Sequence, residues 1–367
     1  MANTFGTLFR LTTFGESHGA GVGAVIDGCP AGVRFDLELL RRDLARRRPG
    51  QALTTARNEA DEPEVLSGVF EGLTTGAPIA VLVRNTDQRS KDYAELKDLY
   101  RPSHADFTYT QKYGVRDHRG GGRSSARETL ARVIGGAVAR MLLAHETPVV
   151  VTAAVVGLGP IASSRAISEM NPEAIYRSPV RCDDPEAGGR MAAYLEELRA
   201  AGDSTGGIVG ASVVGVPAGL GEPIYDKLNA RLAGAMISIN GAMGFEVGAG
   251  FAVAGRRGGE NNDQFVEEGG ALRTVSNNSG GIQGGISNGM PLLFRVAFKP
   301  PSSIALRQSH GAAPGGVVHH AIEGRHDPSI VVRAVPVVEA MTLMVLADMW
   351  LMAKGSRSLL RSGADDV

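Results

Sequence analysis

Arginines surround a run of three glycines near residue 120, and residues of these types at this spacing could bind an anion. Residues 119–129 read RGGGRSSARET. Glycines permit tight turns that expose backbone N–H groups, and Ser125 and Glu128 have the spacing of a capping box that opens a helix. Free N–H groups at a helix N-terminus and guanidinium groups both favour an anion. The pattern predicts an anion site, most readily for phosphate, or else a capped helix with solvated arginines.

A serine and a histidine share a glycine-rich turn near the N-terminus, where residues 15–19 read GESHG. The spacing fits the G-x-S-x-G turn that exposes the nucleophile of serine hydrolases, with Ser17 as the nucleophile. That turn needs strands before it and a helix after it, but only fourteen residues precede it and GAGVG follows. The context argues against a hydrolase and leaves His18 as a candidate proton donor.

A second histidine lies close to an arginine in residues 101–106, which read RPSHAD. Arg101 could hold a phosphate beside His104, which would then act as a general acid. The alternative is a loop histidine whose hydrogen-bonding partner is Asp106.

Residues 324–328 read GRHDP and place an arginine two residues before a proline-flanked carboxylate. Arg325 and Asp327 would lie on the same side of an extended chain. The pair could bind an anion and handle a proton, or it could be a surface ion pair. Three histidines nearby match no metal-ligand spacing, so we predict no metal site: His319, His320 and His326.

The composition predicts a chain with a large core that binds neither nucleic acid nor a membrane. Of the 367 residues, 43% are hydrophobic and the formal net charge is −1, so no overall charge attracts nucleic acid or acidic lipid. Two cysteines favour a reducing compartment, and no signal-peptide pattern begins the chain. The apolar residues 335–352 include Glu339 and Asp348, which indicates a buried helix. We expect a cytoplasmic protein.

Helices and strands alternate irregularly along the chain, which favours the α+β class over a doubly wound sheet. Residues 86–125 show little periodicity but are rich in polar groups, which indicates function. Apolar periodicity and capping residues predict helices over 36–48, 126–145, 186–201, 223–236 and 335–354. β-Branched runs predict strands over 7–13, 21–27, 77–85, 148–156, 207–216, 245–254 and 291–298.

Eight stretches together resemble the chorismate synthase family, in the family's order and over nearly the whole chain. Those at 14–19 and 120–129 are highly specific as a pair. The full set is FGESHG at 14–19, DLARRRPG at 43–50, NTDQRSKDY at 85–93, RPSHADFTY at 101–109, GGGRSSARET at 120–129, GVPAGLGEP at 215–223, GGIQGGISNG at 280–289 and GRHDP at 324–328.

The resemblance implies an enzyme that converts 5-enolpyruvylshikimate 3-phosphate to chorismate, at the last shared step of the shikimate pathway to the aromatic amino acids. Phosphate leaves C3 and a hydrogen leaves C6 in an anti-1,4 elimination, which requires reduced FMN without net redox change. A substrate with two carboxylates and a phosphate suits the clustered arginines, and a flavin suits the glycine-rich loops.

Carried over by position, the resemblance implies roles for residues of this chain. His18 would supply a proton to the reduced flavin, His104 would protonate the departing phosphate, and Asp327 would help take the C6 proton. Ser17 and Ser125 would support the flavin and the proton relay. Substrate or NADP would be bound by Arg47, Arg101 and Arg127. FMN would be bound by Arg123, Ser124, Ser125, Asn240, Gly241, Gly284, Lys299, Pro300, Pro301, Ser302, Ser303 and Arg325.

At three positions this sequence departs from the pattern of the family that it resembles. The loop at Leu53 is shorter than usual and lacks an arginine that the family associates with NADPH. Met243 stands where lysine is common, and Pro301 replaces a usual threonine. These departures weaken the expected NADPH contact and some flavin contacts, but not the chemistry.

The resemblance also implies a β-α-β sandwich with helices between antiparallel sheets, one domain over 1–367 and a homotetramer. We expect the monofunctional type, supplied with reduced flavin by a separate reductase, because the length shows no additional domain. Two alternatives from other classes stay open at this point. One is a phosphoanion- or nucleotide-binding protein without catalysis, and the other is a serine hydrolase that uses Ser17.

Overall fold

The computed structural model describes residues 3–50, 53, 59–86, 97–313, 315–322 and 327–357. Its helices are α1 (Leu37–Arg47), α2 (Asp106–Tyr113), α3 (Thr129–Glu146), α4 (Pro172–Arg177), α5 (Pro185–Ala201), α6 (Leu228–Ile237), α7 (Gly258–Asn261) and α8 (Val331–Arg357). Its strands are β1 (Thr4–Phe5), β2 (Arg10–Gly15), β3 (Gly21–Asp27), β4 (Pro63–Ser67), β5 (Val69–Phe70), β6 (Leu73–Thr74), β7 (Ile79–Arg84), β8 (Leu99–Tyr100), β9 (Val150–Leu158), β10 (Ile161–Ala162), β11 (Gly207–Val214), β12 (Ala242–Val247), β13 (Phe265–Glu268), β14 (Ala271–Thr274), β15 (Ile282–Gln283), β16 (Ile286–Ser287), β17 (Leu292–Phe298), β18 (Gln308–Ala312) and β19 (Val317–His320).

Two five-stranded antiparallel sheets form the outer layers of the fold. The first has the strand order β1-β2-β3-β7-β4 and the second β10-β9-β11-β17-β12. Buried and half-buried residues alternate along β17, as expected for a sheet that packs one face on the core. Val22 pairs with Val83 in the first sheet, and both side chains are buried. Each sheet therefore presents an apolar face to the layer between them.

The helices α1, α3, α6 and α8 form the layer between the two sheets. α3 packs on β2 and β3, α8 packs on β9 and β11, and the two helices pack against each other. Gly136 of α3 permits this close approach, because a Cβ there would come closer than 3.0 Å to Ala340 of α8. The architecture is the predicted β-α-β sandwich of the α+β class.

Three predicted elements differ from the structure. The helix predicted over 223–236 begins only at Leu228, whose N–H donates to the carbonyl of Gly285 in the β15–β16 hairpin. The strand predicted to reach 254 ends at Val247, because Gly248 and Gly250 both have a left-handed φ of 58°. The segment 86–125, in which the sequence showed little periodicity, contains β8 and α2 in its described part.

Helix α8 is the core helix that the sequence predicted, although it starts earlier, at Val331. It is long and apolar enough to cross a membrane by length and composition, but 83% of its most apolar window is buried inside the protein. Glu339 and Asp348 are both buried. Asp348 accepts hydrogen bonds from the backbone N–H groups of residues 7, 8 and 9, so α8 anchors the chain that leads into β2.

Candidate active site

The glycine loop that precedes α3 lies between the two histidines that the sequence singled out. Gly120 and Gly121 have left-handed φ values of 61° and 81°. A Cβ on Gly120 would come closer than 3.0 Å to the ring of His18, and it would lie 3.1 Å from the Oγ of Ser17. A Cβ on Gly121 would lie 3.5 Å from Cε1 of His104. Two consecutive glycines thus bring Ser17, His18 and His104 to one loop.

The start of α3 is capped in a different way from the predicted capping box. Ser125 precedes a short 3-10 turn over Ala126–Glu128, and its Oγ accepts from the N–H of Arg127 at 3.4 Å. The carboxylate of Glu128 does not return to Ser125; it accepts from Arg132 at 2.9 Å. Because the 3-10 turn delays α3 to Thr129, the predicted reciprocal capping box is wrong and only the serine cap is present.

The turn that carries Ser17 and His18 connects β2 to β3, so it is a strand–strand connection and not the strand–helix elbow of a hydrolase. Asn85 fixes this turn, since its Nδ2 donates to the carbonyls of Glu16 at 3.0 Å and Gly19 at 2.7 Å. Its Oδ1 accepts from Nε of Arg127 at 2.5 Å. Asn85 therefore joins the turn to the predicted substrate arginines. Sequence analysis assigned it no role, although it lies in the matched stretch at 85–93.

Arg47 and Arg127 share one buried carboxylate. Nη2 of Arg47 lies 2.8 Å from Oδ2 of Asp61, and Nη1 of Arg127 lies 3.0 Å from Oδ1 of the same residue. Burial would raise the pKa of Asp61, but the two guanidinium groups outweigh it and hold that pKa below its ordinary value. Nη2 of Arg127 also lies 3.6 Å from the buried carboxylate of Glu59.

Arg47 keeps donors that nothing described nearby accepts. Its side chain is 1% exposed, and its Nε and Nη1 have no hydrogen-bond partner among the described residues. Burial lowers the pKa of Arg47 to about 10, which leaves it charged at neutral pH. A buried guanidinium with unused donors favours an anion as its missing partner.

Arg101 and His104 meet at Asp106. The Nε of Arg101 lies 2.7 Å from Oδ2 of Asp106, and Nδ1 of His104 lies 2.9 Å from Oδ1. His104 therefore has Asp106 as a hydrogen-bonding partner, and Arg101 lies beside the same ring. Both contacts expected from the sequence are present, and the role of His104 as a general acid stays a prediction. Burial and the positive charge of Arg101 together outweigh Asp106 and hold the pKa of His104 below its ordinary value.

Asp327 is joined to Arg47 through an arginine that the sequence analysis missed. Nη1 of Arg333, in the first turn of α8, donates to Oδ2 of Asp327 at 3.0 Å. Nε of Arg333 donates to the carbonyl of Arg47 at 3.4 Å. The predicted neighbour Arg325 lies outside the described residues, so its pairing with Asp327 stays a prediction.

Most of the predicted flavin-binding residues form one connected group. Nδ2 of Asn240 donates to the carbonyl of Ser124 at 3.2 Å, and the N–H of Lys299 donates to the carbonyl of Gly241 at 2.9 Å. Arg123 donates to Oγ1 of Thr13 at 2.7 Å. The loop that starts at residue 240 is thereby held between the glycine loop and the end of β17.

The segment after β17 reaches the His104 cluster. Nζ of Lys299 donates to Oγ of Ser302 at 2.9 Å and to the carbonyl of Ser103. Ser303 accepts from Nη1 of Arg101 at 3.1 Å. Pro300 links this group to Pro301, whose carbonyl accepts from Ser204 at 2.8 Å.

Among the described residues, Gly284 is a predicted flavin contact that this group does not include. It lies in the β15–β16 hairpin, beside the first turn of α6, whereas Asn240 follows the last turn of that helix. Ten residues of helix span about 15 Å, so Gly284 stays a prediction. Met243 is 70% exposed on β12, where a lysine would also face solvent.

The residues present suit a flavin in one specific respect. Oδ1 of Asn240 is buried and has no hydrogen-bond partner among the described residues. A buried acceptor without a hydrogen-bond donor is rare in folded proteins. A flavin ring carries N–H groups that could be the missing donor. The cation of Lys299 and the hydroxyl of Ser302 lie in the same connected group and suit a phosphate.

Comparison with known proteins agrees with this arrangement. The family model for chorismate synthase matches residues 9–351. The chorismate synthase of Christiangramia forsetii is 52% identical over 97% of this chain and 99% of its own length. That of Porphyromonas gingivalis is 53% identical over 97% of each chain, and that of Methanosarcina mazei is 52% identical over 94% of this chain and 95% of its own.

A solved structure agrees as well. A crystal structure of a chorismate synthase superposes with a TM-score of 0.74 at 32% identity, and the match covers 95% of this chain and 93% of that one. The range matched by the family model includes Ser17, His18, His104 and the buried arginines. The chain therefore belongs to the chorismate synthase family, whose members are lyases of the shikimate pathway.

Proposed function

We propose that this enzyme converts 5-enolpyruvylshikimate 3-phosphate to chorismate and phosphate by anti-1,4 elimination, with reduced FMN as its cofactor. The observation that carries the proposal is the loop of Gly120 and Gly121, which lies against His18 on one side and His104 on the other. Two proton-transferring groups thereby meet beside buried arginines, and an elimination of phosphate needs this combination.

The arginines would hold the substrate's anionic groups. Arg47 offers Nε and Nη1 from a fully buried position, and Arg101 and Arg127 lie on either side of the same glycine loop through their contacts with Asp106 and Asn85. Fixed cations that need no reorganisation stabilise the charge that develops on a leaving phosphate. These three residues therefore bind the two carboxylates and the phosphate.

His104 would give a proton to the departing phosphate as the C3–O bond breaks. Its ring is held by Asp106 at Nδ1, so Nε2 is the atom that donates. Asp327 would help take the proton from C6, and Arg333 holds its carboxylate in place. The electron pair of the C6–H bond would form a new ring double bond, the existing ring double bond would shift towards C3, and the C3–O electron pair would leave with the phosphate. Atoms and charge then balance without net redox change.

His18, Ser17 and Ser125 would serve the flavin side of the site. His18 would hold a proton at the edge of the glycine loop for the reduced ring, and the two serines would support that proton and the cofactor. When bound, reduced FMN supplies electron density that stabilises an allylic charge or radical as the phosphate leaves. The cofactor would be held by the unused acceptor Oδ1 of Asn240 and by the cation of Lys299 with the hydroxyl of Ser302.

We further propose a monofunctional enzyme, a homotetramer in the cytoplasm that receives reduced flavin from a separate reductase. Large apolar side chains are exposed near β12 and the β13–β14 hairpin, which supports burial of this face between subunits. They include Phe251 at 85% and Leu272 at 72% exposure. Sedimentation analysis tests the tetramer, and a single monomeric species would exclude it.

Anaerobic turnover of 5-enolpyruvylshikimate 3-phosphate with photoreduced FMN, with and without NADPH, tests the function. We expect chorismate with reduced FMN alone. Turnover in air with oxidised FMN and NADPH would instead show an intrinsic flavin reductase. If folded protein binds FMN but forms no chorismate under either condition, the proposal is wrong and a non-catalytic phosphoanion-binding protein becomes the better account.

Variants of the two residues that would exchange protons with the substrate, His104 and Asp327, refine this test. His104→Ala and Asp327→Ala should each keep FMN binding and lose most turnover, because neither is among the residues proposed to hold the flavin. Normal turnover in either variant would remove that residue from the mechanism. Labelling of Ser17 by a fluorophosphonate would favour the hydrolase alternative, which the β2–β3 connection argues against.

A further inference from the structure

Asp106 is a buried carboxylate that gathers several positive groups around His104. It begins α2 and is 3% exposed. Its Oδ1 lies 2.9 Å from Nδ1 of His104 and accepts from Nη1 of Arg116 at 3.0 Å. Its Oδ2 accepts from Nε of Arg101 at 2.7 Å and from the N–H of the same residue at 3.1 Å.

The two nitrogens of the His104 ring face different surroundings. Nδ1 faces Asp106, whereas the opposite edge faces the glycine loop, where a Cβ on Gly121 would lie 3.7 Å from Nε2. Nη2 of Arg101 also lies 3.1 Å from Nδ1, but it donates to Oδ1 of Asp106 at 3.0 Å. The carboxylate therefore accepts from both groups, and a neutral ring carries its hydrogen on Nδ1.

We propose that Asp106 is the positioning residue of His104: it accepts the Nδ1–H, aims Nε2 at the leaving phosphate and stabilises the imidazolium that donates the proton. The proposal rests on the proposed function only through the role of His104 as general acid. It goes further because it names the group that makes the ring an acid in a strongly cationic site.

The charged groups around the ring show why such a partner is needed. Arg101 and Lys299 face His104 and disfavour the imidazolium, and burial acts in the same direction. Asp106 is the one of these neighbours that raises the pKa of His104. Arg116 also contacts Oδ1 of that carboxylate, and His310 lies within its electrostatic influence. Without Asp106, burial, Arg101 and Lys299 would all favour a neutral ring.

Asp106→Asn is the direct test, because the amide keeps the shape and removes the charge. We expect kcat to fall about 100-fold, within the usual contribution of a general acid, with KM changed much less. The alkaline limb of the kcat profile should move to lower pH, since His104 must be protonated and its counter-ion is gone. An unmoved limb with normal kcat would overturn the proposal.

Arg116→Gln is the matched control, because it removes a cation that donates to the same carboxylate and keeps both His104 and Asp106. It should leave the alkaline limb in place or move it to higher pH, since it removes a cation. If it lowers the limb as Asp106→Asn does, the effect is structural and the proposal is wrong.

A measurement on the unaltered enzyme covers the case in which Asp106→Asn does not fold. Nitrogen-15 NMR of the eight histidines, with His104 assigned by its loss in His104→Gln, should show hydrogen on Nδ1 of the neutral ring. Hydrogen on Nε2 would overturn the proposal. Full turnover by His104→Ala would instead show that His104 is not the general acid of the proposed function. The tautomer measurement does not depend on that role, so the two failures can be distinguished.

Discussion

Replacing Gly120 by alanine would place a methyl group where the ring of His18 now lies. A Cβ on Gly120 comes closer than 3.0 Å to both Cε1 and Nδ1 of that ring. The φ of Gly120 is 61°, a left-handed value that costs an alanine about 1 kcal/mol. His18 is only 7% exposed, so the ring has little open space to enter. The substitution therefore tests whether the glycine loop sets the position of His18.

The size of the effect follows from the distance. To restore an ordinary contact of 3.4 Å, the ring must retreat by about 1 Å, and such a misplacement costs about 100-fold in rate. We expect Gly120→Ala to lose about 100-fold in turnover and about 1–3 kcal/mol in the free energy of unfolding. Gly72→Ala is the matched control, because its φ is 77° and no atom lies within 4 Å of its Cβ position.

Both variants would be assayed for anaerobic chorismate formation and for unfolding in urea. Gly72→Ala should show the left-handed strain of about 1 kcal/mol and normal turnover. Equal turnover in the two variants would refute the reasoning, because the displaced ring would then have no consequence. A large loss of turnover in Gly72→Ala would show that backbone strain alone disables the enzyme.

Three further predictions concern stability. Gly136→Ala should destabilise the protein by about 1–3 kcal/mol, because the added Cβ would clash with Ala340 where α3 packs on α8. Gly189→Ala has open space around its Cβ and should stabilise α5 by about 0.5–1 kcal/mol. Thermal melting distinguishes the two variants. Asp348→Ala should lower the free energy of unfolding by about 3 kcal/mol or more, because it leaves three backbone N–H groups of residues 7–9 without their acceptor. An unchanged melting temperature would contradict this. The pKa of Asp61 is lowered on folding, so ionised Asp61 contributes to the free energy of unfolding above the ordinary carboxyl pKa of about 4. This contribution is lost as pH falls below that value. Acid should therefore destabilise the wild type more than Asp61→Asn, as measured by unfolding at each pH.

Elements whose ends depend on neighbouring residues were predictable from the sequence. Asp36 caps α1 by accepting from the N–H of Leu39 at 2.9 Å, and Gly202 ends α5 with a left-handed φ of 69°. Both signals act within one turn of helix. The start of α6 was not predictable, because Leu228 is held by the carbonyl of Gly285, which is distant in sequence. The layered packing of α3 and α8 is likewise a long-range property.

The site was predictable as a set of chemical groups but not as a network. Motifs identified both histidines and the arginines, since glycine turns and arginine spacing are visible along the chain. The residues that connect them carry no spacing signal: Asn85 joins the His18 turn to Arg127, and Arg333 joins Asp327 to Arg47. Each lies far in sequence from a group it holds, so only the folded structure reveals the pairing.

The connecting carboxylates explain how the protein keeps its arginines ready for an anion. A buried charge without a partner costs several kcal/mol, so a site made of buried guanidinium groups alone would destabilise the fold. Asp61 serves Arg47 and Arg127 together, which leaves each arginine charged while one carboxylate is shared between two cations. Nε and Nη1 of Arg47 then remain for an incoming anion, with no acceptor for them in the described part of the chain. Under the proposed function, substrate binding at Arg47 would complete a hydrogen-bonding arrangement that folding leaves unfinished.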